Sequence, residues 1–160
     1  MAKTPRPLTP DEAGSRLRAR FGSDVVDVTD QYGHAVATVT RDRYHDVCRY
    51  LREEPEFDCD YCDFTGGVDF GPDAGFEVVT HVFSTTHHHN VRLKVRVPYD
   101  DAVMPTISDV WATCDWHERE TLEMFGIRFE GHPLRKDFPL MTREAKPWPG
   151  DTEGEEDEDE

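Results

Sequence analysis

Residues 76–97 read FEVVTHVFSTTHHHNVRLKVRV and carry the clearest secondary-structure pattern in the chain. Over residues 91–97, apolar side chains alternate one for one with Arg and Lys. Such alternation predicts a strand with one face in the core and a basic face turned outward. A partner strand is predicted over 76–84, with an exposed polar turn at 85–90. A solvated outer sheet face is the simpler interpretation of the basic side, and an electrostatic docking surface is the alternative.

Three further elements are predicted on the N-terminal side of these strands. Thr9 and Glu12 form a capping-box pattern for a helix that ends before Gly22. β-Branched residues on both sides of a polar stretch predict a hairpin, and apolar residues at helical spacing predict a second helix. The predicted ranges are 10–21 for the first helix, 25–28 with 35–40 for the hairpin, and 42–53 for the second helix.

A third helix is predicted over residues 116–125, on the C-terminal side of the strands. Asp115 is placed to cap this helix, Glu118 to complete a capping box, and Gly126 to end it. Large apolar and charged residues are interspersed around the helix, which predicts that it is covered on more than one side. The residues that follow show no sustained period and predict an extended arm.

Together these elements predict an α+β fold, with a small mixed sheet that carries helices on one face. The predicted divisions are 1–126 for the α+β domain, 127–150 for the docking arm and 151–160 for an acidic tail. The tail, DTEGEEDEDE, is charged, almost free of apolar groups and self-repelling. We therefore expect it to be disordered.

The charge and hydropathy of the chain exclude several classes of protein. The formal net charge is −16, of which eight negative charges lie in residues 151–160. Net negative charge disfavours binding to the nucleic-acid phosphate backbone. The sequence has neither a signal-peptide pattern nor the run of about 20 apolar residues that spans a bilayer, so we expect a cytoplasmic protein with reduced cysteines.

The sequence contains no dinucleotide-binding or phosphate-loop motif, and no catalytic residue can be assigned from it. One cluster of candidate metal ligands is present. Cys59-x-x-Cys62 and Cys114-x-x-His117 have the pairwise spacing of a four-ligand zinc site. Because a whole hairpin separates the two pairs, we expect buried or idle thiols, and zinc stays an alternative.

Residues 116–133 read WHERETLEMFGIRFEGHP, and residues 134–140 read LRKDFPL. This long motif resembles the signature of the C subunit of bacterial respiratory complex I, which is the counterpart of the mitochondrial 30-kilodalton subunit. The resemblance extends upstream through LKVRVP at 93–98 and Ser108-x-Val110-Trp111. It covers residues 57–150 well and residues 1–56 only in pattern.

The resemblance implies a cofactor-free structural subunit in the hydrophilic arm of NADH:quinone oxidoreductase, peripheral on the cytoplasmic face of the membrane. Its implied partners within complex I are the D and B subunits and possibly the I subunit. FMN, iron–sulfur clusters, NADH and quinone would be held by the partner subunits. The partner-docking residues implied by the motif are Trp116, Glu118, Arg119, Glu120, Phe125, Gly126, Gly131, His132, Pro133, Arg135 and Asp137.

Within that set, Glu118, Arg119 and Glu120 would form charge pairs, and Arg135 and Asp137 would anchor the arm. Two alternatives remain open at this point. A related membrane-bound hydrogenase would use the same kind of subunit with a different electron donor. A zinc-stabilised interaction module would use Cys59, Cys62, Cys114 and His117 outside any redox complex.

Overall fold

The computed structural model describes residues 6–132, which form a five-stranded mixed sheet with three α-helices and a small second sheet. The strand order is β1-β2-β5-β4-β3, with β2 and β5 parallel and the other neighbours antiparallel. The five strands are β1 (Val25–Gln31), β2 (His34–Val39), β3 (Tyr61–Asp69), β4 (Phe76–Phe83) and β5 (Asn90–Val97).

The helices are α1 (Pro10–Phe21), α2 (Tyr44–Glu53) and α3 (Cys114–Phe125). The second sheet pairs β6 (Val103–Pro105) with β7 (Arg128–Glu130) in parallel, so that α3 is the crossover between them. No helix within the described residues is long and apolar enough to cross a membrane.

All three helices lie on one face of the large sheet. An ideal Cβ at Gly14 of α1 would lie 2.6 Å from Val28 of β1, and the Tyr44 hydroxyl of α2 lies 2.6 Å from that of Thr80 on β4. Cys114 of α3 contacts Thr65 of β3, which pairs with Thr80. The predicted α+β fold with helices on one face of a mixed sheet is therefore confirmed.

The period-2 pattern of β5 was interpreted correctly, because its four apolar side chains are buried. The outer face is less basic than the sequence suggests. A carboxylate on β4, that of Glu77, lies 3.0 Å from Arg96 Nε and 3.8 Å from Lys94 Nζ. Because Glu77 is buried beneath these two cations, it neutralises part of the strip.

Local signals fixed the ends of α1, and the structure confirms them. The Thr9 side chain accepts the Glu12 N–H, and the Glu12 carboxylate accepts the Thr9 N–H in return. The hairpin is also confirmed, with residues 32 and 33 at its turn. The second helix begins two residues later than predicted, because residues 41–43 form a single 3-10 turn.

One prediction about a turn was partly wrong, and one strand was not predicted. The polar turn at 85–90 is not wholly exposed, because His89 is buried and its Nδ1 accepts the Leu8 N–H at 3.2 Å. The edge strand β3 was not predicted at all. Its sequence contains Asp63, Gly66 and Gly67, and these residue types are depleted in strands.

The glycine at position 67 allows α3 to lie close to β3. A Cβ built on Gly67 would stand 2.8 Å from Cδ2 of Phe125, at the C-terminal end of α3. That separation is too short for two carbon atoms, so any side chain at position 67 would displace the ring. The close approach of this helix to the edge strand therefore depends on the missing side chain.

We predict that Gly67→Ala lowers the free energy of unfolding by about 1–2 kcal/mol, because the new methyl group meets the Phe125 ring. Urea unfolding measures this change. In a Phe125→Ala background the same substitution should be neutral or stabilising, since alanine restricts the unfolded chain more than glycine does. Equal destabilisation in both backgrounds would contradict the contact. Val68→Ala, at the next and half-exposed position, is the control on the same strand.

Candidate functional site

The start of α3 is fixed by side chains of the preceding turn. The Trp111 indole N–H donates to the Cys59 carbonyl at 2.9 Å, and the Thr113 hydroxyl donates to the Cys62 carbonyl at 3.2 Å. These two bonds hold the residues just before the helix against Cys59 and the start of β3. The helix begins at Cys114, so the prediction that Asp115 caps it was wrong.

The predicted capping box at this helix was also wrong, because the Glu118 side chain lies inside the protein. Its Oε1 accepts the Ile107 N–H at 2.7 Å, and its Oε2 accepts the Thr106 hydroxyl at 2.5 Å. Both partners lie just after β6, and Glu118 is 1% exposed. Burial raises the pKa of Glu118, while the bonds from Ile107 and Thr106 act in the opposite direction.

A histidine at the start of the predicted arm contacts the same helix. His132 Nε2 lies 2.7 Å from the Asp115 carboxylate and 3.8 Å from Oε2 of Glu118. Gly131, immediately before it, has a φ of +82°, and an ideal Cβ there would lie 3.2 Å from Cγ2 of Thr106. The chain therefore leaves β7 through a turn that favours glycine and returns to the first turn of α3.

The solvent face of α3 carries large apolar side chains, whereas its inner face carries Cys114, Glu118 and Thr121. Trp116 is 70% exposed and Met124 is 67% exposed. This is the reverse of the usual amphipathic helix, in which the apolar stripe faces the core. Within residues 6–132 the outer face of α3 is not covered, so the predicted covering on more than one side would have to come from outside the described residues.

The other predicted docking residues of α3 have different environments. The Arg119 guanidinium lies 5.2 Å from the Trp116 ring centre, which is a cation–π contact, and Glu120 is exposed. Phe125 is half-buried over Gly67, and Gly126 ends the helix with a left-handed φ of +74°. Pro133, Arg135 and Asp137 lie outside the described residues, as does the predicted acidic tail.

The sequence interpretation missed a set of exposed apolar side chains on and just after β3. Phe64, Val68 and Phe70 are all between 40% and 48% exposed. Their even spacing was the available signal, because residues two or four apart in a strand share a face. Phe64 also contacts α3, with its ring centre 6.1 Å from that of His117. Val68 pairs with Glu77, and Arg96 lies over the Phe70 ring, so both side chains face away from the helices. We call Trp116 and Met124, on the outer face of α3, together the apolar surface.

The structure brings together three of the four residues named in the zinc alternative. Donor atoms of Cys62, Cys114 and His117 all lie within 4.8 Å of one another. Cys59 is not part of this group, and its Sγ lies 3.8 Å from the Phe57 carbonyl. Burial raises the pKa of the Cys59 thiol to about 12, so this sulfur is held as a neutral thiol. The four-ligand zinc alternative is therefore reduced to a group of three residues.

Two solved structures share the fold of this chain. The trypsin-resistant fragment 1–134 of Nqo5 matches with a TM-score of 0.66 at 24% identity, over 78% of this chain and 98% of the fragment. A chain of the membrane-bound sulfane sulfur reductase, an archaeal respiratory membrane complex, matches with a TM-score of 0.64 at 23% identity, over 81% and 78%. The protein is therefore of the same α+β structural class as the Nqo5 fragment.

The family follows from sequence. The family model "Respiratory-chain NADH dehydrogenase, 30 Kd subunit" matches residues 37–151. The NADH-quinone oxidoreductase subunit designated C 2 in Rhizobium etli (strain CIAT 652) is 36% identical over 154 residues, which cover 86% of this chain and 82% of that protein. The corresponding C subunit of Geobacter sulfurreducens is 31% identical over 152 residues, covering 84% and 93%. The chain belongs to the 30-kDa subunit family of respiratory-chain NADH dehydrogenase.

Family membership confirms the resemblance drawn from the motif at residues 116–140. The relatives are named as subunits of NADH-quinone oxidoreductase, which is an oxidoreductase complex. Neither alternative, a hydrogenase-related subunit or a free zinc module, is favoured by these matches.

We predict that Glu118→Ala lowers the free energy of unfolding by about 2–4 kcal/mol, because it leaves the buried Ile107 N–H without an acceptor and opens a cavity. Glu118→Gln keeps one acceptor oxygen and should cost about 1 kcal/mol. Urea denaturation of the purified variants measures both. Glu120→Ala, an exposed glutamate on the same helix, should change stability by less than about 0.5 kcal/mol. Equal effects at positions 118 and 120 would contradict the internal role of Glu118.

Proposed function

We propose that this chain is a cofactor-free structural subunit of the hydrophilic arm of NADH:quinone oxidoreductase. In this proposal it holds neighbouring subunits in register and supports electron transfer from NADH to quinone. The cofactors, which are FMN and iron–sulfur clusters, are carried by the partner subunits. The chain is peripheral on the cytoplasmic face and associates with the membrane only through the complex. Family membership supports the assignment of the chain to this complex. The exposed apolar side chains of α3 support docking to a partner subunit.

The outward apolar face of α3 is the observation that carries the docking proposal. Trp116 and Met124 are each about two thirds exposed, on a helix that buries a carboxylate and a hydroxyl group. Large exposed apolar side chains of this kind are enriched at the centres of protein interfaces, where aromatic and methionine side chains contribute most. The apolar surface therefore fits a protein partner, and we assign it to the D and B subunits of the complex.

The arm that follows β7 supplies the second part of the docking proposal. His132 contacts Asp115 in the first turn of α3, so the described part of the chain ends close to Trp116 of the apolar surface. We propose that this arm, with Pro133, Arg135 and Asp137, continues onto the D subunit. The α+β domain would then occupy residues 1–126 and act as the anchor for the arm.

Fixed geometry gives such a subunit a function without a redox centre of its own. Reaction and transfer steps depend steeply on the placement of the groups involved, and a scaffold that holds two proteins in register preserves that placement. Loss of the apolar contacts would lower the activity of the complex by disturbing its assembly, with no change in the chemistry at any cofactor.

We predict that the double variant Trp116→Asp, Met124→Asp folds normally but fails to enter the complex, because two charges would be desolvated at the interface. The measurement is purification of the chain from its native membrane under mild conditions, followed by identification of co-purifying subunits. Wild-type chain should bring down the D and B subunits, and the double variant should lose both, together with most NADH:quinone activity of the membranes.

Tyr32→Asp is the matched control, because Tyr32 is fully exposed. It lies at the β1–β2 turn, on the side of the sheet opposite to β3. This variant should assemble as well as wild type. Assembly of the double variant at wild-type level would refute docking through α3. Absence of the D and B subunits from the wild-type preparation would refute the proposed place of the chain in the complex, and a hydrogenase subunit in their place would identify the related assembly.

A further inference from the structure

We propose that Cys62, Cys114 and His117 form a zinc-binding site that joins α3 to the edge strand β3. The three donor atoms come from two elements. Cys62 lies near the start of β3, where the pairing register with β4 shifts between residues 62 and 64. Cys114 and His117 are the first residue and the fourth residue of α3, so they lie on one face of the helix. The site does not depend on the proposed assembly.

The separations fit a tetrahedral zinc ion. Zinc binds thiolate sulfur at about 2.3 Å and imidazole nitrogen at about 2.0–2.1 Å, which places the donor atoms of one ion about 3.5–3.8 Å apart. The three donors already lie within 4.8 Å of one another, so side-chain adjustments of about an ångström would close the site. Two sulfurs and an imidazole are a donor set that selects zinc over magnesium or calcium.

Hydrogen bonds within the described residues do not satisfy every polar atom of this cluster. Both sulfurs share the Thr65 hydroxyl, which lies 3.6 Å from Cys62 Sγ and 3.9 Å from Cys114 Sγ. Nδ1 of His117, in contrast, is buried and has no hydrogen-bond partner within residues 6–132. A buried imidazole nitrogen without a partner is unfavourable, and coordination to a metal ion would satisfy it.

The charge at the site also fits a divalent ion. Two thiolates balance the charge of one zinc ion, so the loaded site would be neutral although both cysteines are buried. The fourth position is left to a water molecule, because Cys59 lies elsewhere.

The test is zinc binding by the full, untagged 160-residue chain in the presence of a thiol reductant. We expect one zinc ion per chain after dialysis, measured by elemental analysis, and a rise in Tm on addition of zinc. Cobalt in place of zinc should give the absorption bands of a tetrahedral thiolate complex. Cys62→Ser, Cys114→Ser and His117→Gln should each weaken binding by at least about 100-fold in competition with a chelator.

Three matched controls should bind zinc as wild type does. Cys48→Ser and Cys59→Ser remove the other two buried thiols, and His88→Ala tests the exposed histidine of the neighbouring turn. Less than stoichiometric zinc in the reduced wild-type chain would overturn the proposal. The same holds if His117→Gln, the variant least disruptive to the core, folds and binds zinc with wild-type affinity. The proposal would also be overturned if Cys62 and Cys114 form a disulfide and the chain takes up no zinc after that disulfide is reduced.

Discussion

The buried carboxylate of Glu118 is the interaction on which the orientation of α3 depends. A carboxylate inside a protein is strongly disfavoured unless donors replace the water that it loses. Here the Ile107 N–H and the Thr106 hydroxyl supply those donors, and they lie after β6, at a fixed position beside α3. Glu118 must therefore point toward them, and that requirement sets the rotation of α3 about its own axis.

The outward direction of the apolar side chains follows from this rotation. At about 100° per residue, Trp116 lies about 160° from Glu118 around the helix, and Met124 about 120° from it. When Glu118 faces inward, neither can reach the core. The mixture of charged and large apolar residues in the motif therefore has a physical explanation. The Glu118 carboxylate holds the helix from inside, and the apolar side chains of Trp116 and Met124 are left exposed.

The sequence was sufficient for most of the regular elements and for the family, but not for strand β3 or for this rotation. Alternation over residues 91–97 predicted β5, and the Thr9–Glu12 pattern predicted the start of α1, because both signals are local. The partners of Glu118 lie 11 and 12 residues away in a segment without a period, and no local pattern identifies them. The same limit applies to the cysteines. Only the packing of α3 on β3 shows that Cys62, and not Cys59, lies beside Cys114 and His117.

The packing of α3 on β3 connects the apolar surface to the proposed metal site. An edge strand with exposed aromatic side chains is prone to nonspecific association unless its edge is covered or engaged by a partner. Gly67 lets the helix pack closely against this strand, and the Trp111 and Thr113 hydrogen bonds hold the residues just before the helix there. A metal ion between the same two elements would hold them in one arrangement before binding. Since ordering a surface opposes association, an interface that is already rigid binds its partner more tightly at the same buried area.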